Sequence, residues 1–174
     1  SMFNKAIEWG CGVSNPCNGI KKYKEKSRER FLQPAEIEIL MKVLADYPSE
    51  TIKDYIYISL LTGARKTNIL EMKFENVDWN LKQWKIPETK NGESLTIPLT
   101  ELAFNILREK KKKATSVWVF ESGLGTKGHL VEPKRAWKTI LTKAGIKDLR
   151  LHDLRRTLGS LLAGSGANSY IISK

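Results

Sequence analysis

One apolar helix near the end of the chain begins with side chains that could hold an anion. The stretch "LRLHDLRRTLGSLLAGSG" (149–166) contains His152, one of two histidines in the chain, together with Arg155 and Arg156. Its leucines share one face at helical spacing: Leu154, Leu158, Leu161 and Leu162. His152 lies opposite that face and Arg155 at its border, and because the two are three residues apart they can point at one object beside the core. Because burying an unpaired charge costs several kcal/mol, and because a helix N-terminus favours phosphate, we expect an anion there.

A purely structural role explains the same spacing. His152 would cap the helix, and the two arginines would lie on the surface, paired with Asp153. On the anion-binding interpretation, Gly159, further along the same helix, would let the bound anion approach the backbone. Spacing alone leaves both interpretations open.

Two further cations stand at exposed turns of the predicted structure. Arg65 follows Gly63 in "LLTGARKTNILEMK", where an apolar helix ends and a short one begins, so its guanidinium can donate a bidentate pair to phosphate oxygens. Lys90 lies at the tip of a predicted hairpin in "ETKNGES", where it can reach a DNA groove. A lysine whose pKa is lowered can also deliver a proton. Either residue alone would be an ordinary surface side chain.

The elements that must position these residues are mainly helical. Apolar residues recur at helical spacing in six stretches besides 149–166: "MFNKAIEW", "LQPAEIEILMKVLADYP", "SETIKDYIYISLLTGA", "KTNILEMK", "TELAFNILREKKKKA" and "EPKRAWKTILTKAG". Gly63 and Gly145 are the predicted helix stops. In "LKQWKIPETKNGESLTIPL" the period falls to two around Asn91-Gly92, which predicts a hairpin, with a further strand in "ENVDW". A short buried strand is predicted in "VWVFES", and another helix in "NSYIISK". The fold class predicted is α+β, mainly α with a small antiparallel sheet.

Two other patterns could indicate a cofactor or a metal. Gly123, Gly125 and Gly128 form a literal GxGxxG in "GLGTKGH", but no βαβ unit surrounds them, so we expect a loop rather than a dinucleotide site. Cys11 and Cys17 in "CGVSNPC" lack the spacing of a zinc site. We therefore expect neither a cofactor nor a metal.

The net charge indicates a polyanionic partner. The chain of 174 residues has 30 Lys plus Arg against 19 Asp plus Glu, giving +11 and an isoelectric point near 9.6. Such a field favours nucleic acid or an acidic membrane surface, and we expect nucleic acid. No apolar run is long enough to cross a membrane and "SMFNK" lacks a secretory apolar region, so a cytoplasmic location is expected. Five residues are predicted to contact the DNA backbone, ahead of the lysine run 110–113: Lys66, Lys127, Lys134, Arg135 and Arg156.

In order along the chain, these motifs resemble the catalytic domain of the tyrosine recombinases, the phage-type integrases. The matching residues are "TGAR…NIL.M…VDW", "P.TKNG….IPL" and "HDLRRT", and the resemblance covers 31–174. The stretch "NP..GIKK…RERFL" is similar to the linker that follows the family's core-binding domain. We therefore expect residues 1–30 to be the end of such a domain and its linker, and 31–174 to be a catalytic domain.

The resemblance implies a site-specific recombinase of a mobile element that cleaves and rejoins DNA through a 3′-phosphotyrosyl intermediate, without cofactor or metal. Arg65 and Arg155 would grip the scissile phosphate and stabilise its growing charge. His152 would hydrogen-bond the phosphate and help to move a proton, and Lys90 would protonate the departing 5′-oxygen. The implied partner is double-stranded DNA, bound by a homo-oligomer in the intact protein and by a monomer in this fragment.

The chain departs from the family pattern in two places. Asn68 stands where the family often has Glu. The family also places a Gly-His box and then the nucleophilic Tyr beyond the helix predicted in "NSYIISK", whereas the sequence ends at Lys174. Tyr170 lies 15 residues after Arg155 and is expected to be a packing residue. We therefore expect a C-terminally truncated domain without a nucleophile and without cleavage activity.

Three other functions remain open from the sequence. A DNA-binding domain without catalysis would use the same cations only to hold the DNA backbone. A type IB topoisomerase-like enzyme would share the chemistry but would relax supercoils without paired sites. A generic RNA-binding module ranks last, because the sequence shows no aromatic stacking platform.

Overall fold

The computed structural model describes residues 2–12, 14–21, 23, 28–87, 94–122 and 127–165. Within them the helices are α1 Met2–Glu8, α2 Pro34–Ala45, α3 Glu50–Thr62, α4 Lys66–Leu70, α5 Glu101–Lys113, α6 Lys134–Ala144 and α7 Leu151–Gly164. A 3₁₀ turn, Phe74–Asn76, precedes the strands β1 Val77–Asp78, β2 Gln83–Ile86 and β3 Leu95–Pro98. The prediction of a mainly α domain with a small antiparallel sheet is confirmed.

Helix boundaries follow local signals in the sequence. Pro34 occupies the first turn of α2, where its missing N–H is not needed. Ser49 caps α3 by accepting a hydrogen bond from the Ile52 N–H. Gly63 and Gly145 end α3 and α6 with φ of 58° and 66°, the left-handed conformation that glycine adopts without steric cost.

The sheet pairs neighbouring strands in the order β1-β2-β3, both pairs antiparallel. Trp84 lies opposite Val77 on one side and Ile97 on the other. Lys90 and the turn predicted at Asn91-Gly92 lie outside the described residues. Gly123, Gly125 and the helix predicted in "NSYIISK" also lie outside them. Because all strand pairs in the described part of the chain are antiparallel, it contains no βαβ dinucleotide fold.

The strand predicted in "VWVFES" is wrong. Trp118 and Glu121 form only isolated bridges, with Lys73 and His129, and the residues between them form a turn. The Val119 N–H donates to the Met72 carbonyl, and the Val117 carbonyl accepts from the Phe74 N–H. These two bonds lie on either side of the Lys73–Trp118 bridge. The 3₁₀ turn begins at Phe74, so the pairing does not continue into a ladder. Val119 and Phe120 are apolar because they are buried in a turn.

The core surrounds α3. Tyr55, Ile56 and Ile58 of this helix are buried, and the ring of Tyr55 meets Phe120 edge-on at 5.6 Å. Other elements contribute further fully buried side chains: Leu40, Trp84, Leu107, Ile140 and Leu154. Full burial of each large apolar side chain stabilises the fold by about 1.5–3 kcal/mol. Helix α7 packs on α3, and α2 packs on α6, so α3 provides the surface on which α7 is placed.

Candidate functional site

Arg155 connects α7 to the end of α3. Its Nη1 donates to the Gly63 carbonyl oxygen at 2.6 Å. Burial lowers the pKa of the Arg155 guanidinium, and the nearby charge of Arg65 lowers it further. Arg155 nevertheless stays protonated, because arginine titrates far above neutral pH. Two guanidinium groups that repel each other at a helix junction favour an anion that both can contact.

A cavity of about 870 Å³ lies between the end of α3, strand β3 and α7. His152, Arg155 and Arg156 line it on the α7 side, and apolar side chains form much of the rest. The structure therefore brings His152 and Arg155 to one cavity. Arg65 is not one of the described residues that line the cavity, although its charge acts on Arg155. Lys90, predicted for the same site, lies outside the described residues.

The first turn of α7 differs from the purely structural role considered above, in which His152 would cap the helix. Arg150, not His152, is the N-cap residue, and its N–H donates to Asp153 Oδ2 at 2.8 Å. His152 is exposed and faces the cavity. Arg156 does pair with Asp153, at 3.2 Å, as that interpretation required. The two arginines of the motif therefore have different surroundings: Arg155 contacts α3, and Arg156 is paired within its own helix.

The sequence pattern indicated Asp153 only as a surface partner of the arginines; it revealed neither the burial of this carboxylate nor its contact with Arg28. The Asp153 side chain is 1% exposed and contacts Arg28 at 3.0 Å. Burial alone would raise the pKa of this carboxyl, but hydrogen bonds from Arg28 and the Arg150 N–H outweigh burial, and the pKa is lowered. An acidic residue three positions after a helix N-cap was the available signal for Asp153. Arg28 lies 125 residues away in sequence, and no local pattern marks it.

The predicted DNA contacts are distributed unevenly. Lys66 and Lys134 both pair with Glu132, at 3.3 and 3.4 Å, so the structure brings these two lysines together. Lys127 and Arg135 are exposed. Three lysines of the run 110–113 have carboxylate partners: Lys110 with Asp54, Lys112 with Glu109 and Lys113 with Glu50. Much of the charge of that run is therefore balanced locally.

No helix in the described part of the chain is long and apolar enough to span a bilayer. Across the same residues, no group of three or more His, Cys, Asp or Glu side chains is placed to hold a metal ion. Cys11 and Cys17 are exposed free thiols.

Gly63 makes the α3–α7 contact possible. A Cβ at this position would lie 2.9 Å from Leu158 Cδ2 and 3.8 Å from Arg155 Cγ. We expect Gly63→Ala to lower the free energy of unfolding by about 2–3 kcal/mol, of which about 1 kcal/mol is left-handed backbone strain and the rest overpacking against α7. Urea unfolding of the purified chain measures the loss.

Gly145→Ala is the matched control. Gly145 also ends a helix with positive φ, but nothing lies within 4 Å of the added Cβ. It should cost only the backbone strain, about 1 kcal/mol. Equal losses in the two variants would mean that α7 packs loosely against Gly63, and would contradict a close contact between the two helices.

The known proteins to which this chain is similar include integrases and DNA recombinases. The phage integrase family matches residues 30–174. The integrase of Salmonella phage P22 is 33% identical over 96% of this chain and 45% of its own length. A shufflon-specific DNA recombinase of Escherichia coli is 30% identical over 89% of this chain and 39% of its own. The chain thus spans less than half the length of either relative.

Solved structures share the fold. A Tn1549 transposon integrase, residues 82–397 in complex with circular intermediate DNA, has a TM-score of 0.70 at 18% identity, over 98% of this chain and 65% of that one. The XerA recombinase has a TM-score of 0.68 at 16% identity, over 97% and 62%.

Proposed function

Because the chain belongs to the phage integrase family, we propose that it is the catalytic part of a site-specific DNA recombinase of a mobile element. The proposed reaction cleaves and rejoins DNA strands through a 3′-phosphotyrosyl intermediate. The observation that carries this proposal is the placement of Arg155, which is held against the end of α3 and repelled by Arg65 while it faces an open cavity. A guanidinium that is fixed in place, with a second one close enough to act on its charge, suits a single phosphate better than it suits a protein core.

Each residue of the site has a proposed role. Arg65 and Arg155 hold the non-bridging oxygens of the scissile phosphate and stabilise the charge that grows on them. The oxygen of a tyrosine attacks phosphorus, the bond to the 5′-oxygen breaks, and Lys90 gives that oxygen a proton. His152 hydrogen-bonds the phosphate and helps to take the proton of the attacking tyrosine. The phosphotyrosyl ester keeps the energy of the broken bond, so rejoining needs no ATP.

We assign the nucleophile to none of the five tyrosines of this chain. Tyr55 is fully buried, and burial raises its pKa to about 12. Burial also raises the pKa of Tyr57. Such hydroxyls lose a proton less readily than an exposed one. Tyr170 lies outside the described residues, and its assignment as a packing residue stays a prediction.

A basic surface beside the site would hold the DNA backbone. Lys66, which follows Arg65, and Lys134 at the start of α6 share Glu132. Phosphates of a duplex would compete with this carboxylate for both ammonium groups. Exposed cations extend the surface: Lys127 and Arg135. Arg156 would add a contact on the α7 side of the cavity. We propose double-stranded DNA as the partner, a homo-oligomer on DNA for the intact protein, a monomer for this chain by itself, and action in the cytoplasm.

Duplex binding by the purified chain tests this assignment. In fluorescence anisotropy we expect salt-sensitive binding, because contacts to the DNA backbone release counterions. RNA should compete little with the duplex. Replacing Lys134 and Arg135 by Met should weaken binding about tenfold or more and reduce the salt slope by about two.

Lys112→Met with Lys113→Met is the control of equal charge change, and it should weaken binding less than about twofold. Equal effects of the two pairs would indicate a diffuse field and would contradict the proposed surface. If a form of the protein that cleaves DNA relaxed supercoiled DNA without paired sites, it would be assigned to the topoisomerase-like alternative.

A further inference from the structure

Helix α7 is held from two sides, and the proposed mechanism uses only one of them. Arg155 and Leu158 contact the end of α3. Asp153 and Thr157, one turn apart, contact the segment 28–32 instead. Leu32 of this segment is buried, and its N–H donates to Thr157 Oγ1 at 2.9 Å. Any shift of α7 away from the segment 28–32 would therefore also move Arg155.

Arg28 makes the main polar contact of the segment 28–32 with α7. Its Nη1 donates to both carboxylate oxygens of Asp148, at 2.9 and 3.0 Å, and its Nη2 also donates to the Asp148 carbonyl oxygen. Its Nε and Nη2 donate to Asp153 Oδ2 at 3.2 and 3.0 Å. One guanidinium thus bridges the loop before α7 and the first turn of the helix.

The loop that Arg28 holds has an unusual backbone. Asp148 has φ of 50°, the left-handed conformation that side chains other than glycine seldom adopt. The chain turns here from the end of α6 into α7. A residue in this conformation persists where its surroundings fix it, and Arg28 contacts both its carboxylate and its carbonyl.

We propose that Arg28 is a positioning residue for the phosphate site: by holding Asp148 and Asp153 it fixes where α7 begins, and so fixes His152 and Arg155. The proposal rests on the proposed function for its consequence on DNA. Arg28 precedes residues 30–174, the part of the chain that the family match covers. It contacts neither DNA nor reacting atoms in this scheme and acts only through α7.

The geometry requires arginine rather than any cation. The planar guanidinium presents several donors in fixed directions and can serve two carboxylates at once. A lysine ammonium in the same place keeps the charge but can hold only one of them well. We therefore expect Arg28→Lys to restore part of the function lost in Arg28→Met.

Arg30 offers a matched control. Both side chains are 22% exposed and belong to the same segment, but Arg30 pairs with Glu36 of α2. It reaches the loop before α7 through one hydrogen bond to the Lys147 carbonyl oxygen, at 3.3 Å, whereas Arg28 binds both Asp148 and Asp153. Arg30→Met removes the same charge from the same segment. It should leave the start of α7 in place.

Two measurements on the purified chain test the proposal. Hydrogen exchange of the amides of residues 151–157 should become about tenfold faster in Arg28→Met and change less than about twofold in Arg30→Met. Duplex affinity is then measured in a double-mutant cycle with Arg155→Met. Arg28→Met should weaken binding about fivefold when Arg155 is present and less than about twofold when it is absent.

The outcomes separate the two claims. Unchanged exchange in Arg28→Met overturns the positioning role. Equal losses of affinity with and without Arg155 also overturn it, since Arg28 would then act only through its charge. If Arg155→Met alone binds DNA like the wild type, the proposed function fails, and the exchange measurement by itself decides whether Arg28 positions α7.

Discussion

Replacing Arg155 by Met is expected to lower strand cleavage about 10³-fold in a form of the protein that cleaves DNA. The same change should weaken duplex binding by this chain about tenfold. The reason is that Arg155 is fixed before DNA arrives, by its bond to the Gly63 carbonyl, so no ordering is needed when charge develops on the phosphate. A single-turnover cleavage assay and an anisotropy titration measure the two effects.

The difference between the two losses is the informative quantity. An arginine that serves only as a backbone contact would lower binding and leave cleavage of the bound DNA unchanged. Arg108→Met is the control, because Arg108 is an exposed arginine on α5 that pairs with its neighbour Glu109. It should leave cleavage unchanged. Cleavage by Arg155→Met at the wild-type rate would remove Arg155 from the proposed catalytic set.

Asp153→Asn should lower the free energy of unfolding by about 2–3 kcal/mol at neutral pH. Asp153 is almost fully buried and accepts from Arg28, Arg156 and the Arg150 N–H. The value lies below the range for a fully buried pair because both arginines stay partly in water. Asp148→Asn is the control: its carboxylate pairs with the same Arg28 but is 74% exposed, and the loss should stay under about 1 kcal/mol.

The loss of unfolding free energy in Asp153→Asn should depend on pH. The pKa of Asp153 is lower in the folded protein than in the unfolded chain, where it is about 3.9. Its contribution to stability is therefore fully present above that pH and is lost as the pH falls through the folded pKa. Wild type and Asp153→Asn should converge in urea unfolding as the pH is lowered below about 4. A difference that stays constant down to pH 2 would mean that the carboxylate charge does not stabilise α7.

The sequence correctly predicted the features that depend on residues close together in the chain. The helix ends at Gly63 and Gly145 and the pairing of β2 with β3 all follow from local signals. The strand predicted at "VWVFES" failed because a short apolar run looks the same whether it is buried in a ladder or in a turn. Only the surrounding fold decides between the two.

The candidate site was predictable in its residue types but not in its supports. His152 and Arg155 stood out because charge at the start of an apolar helix is costly. Their partners did not stand out, since Gly63 lies 92 residues before Arg155 and Arg28 lies 125 before Asp153. Contacts at such separations depend on how α7 docks, which periodicity does not reveal.

The central claim is that Arg65 and Arg155 bind one phosphate of duplex DNA, and a double-mutant cycle on duplex affinity tests it most directly. Arg65→Met and Arg155→Met should each weaken binding about tenfold, and the double variant should bind no more than about twentyfold more weakly than the wild type, since the two groups share one partner. A double variant that binds like the wild type would contradict the claim. Losses that multiply to about a hundredfold would contradict it as well, because the two arginines would then contact DNA independently.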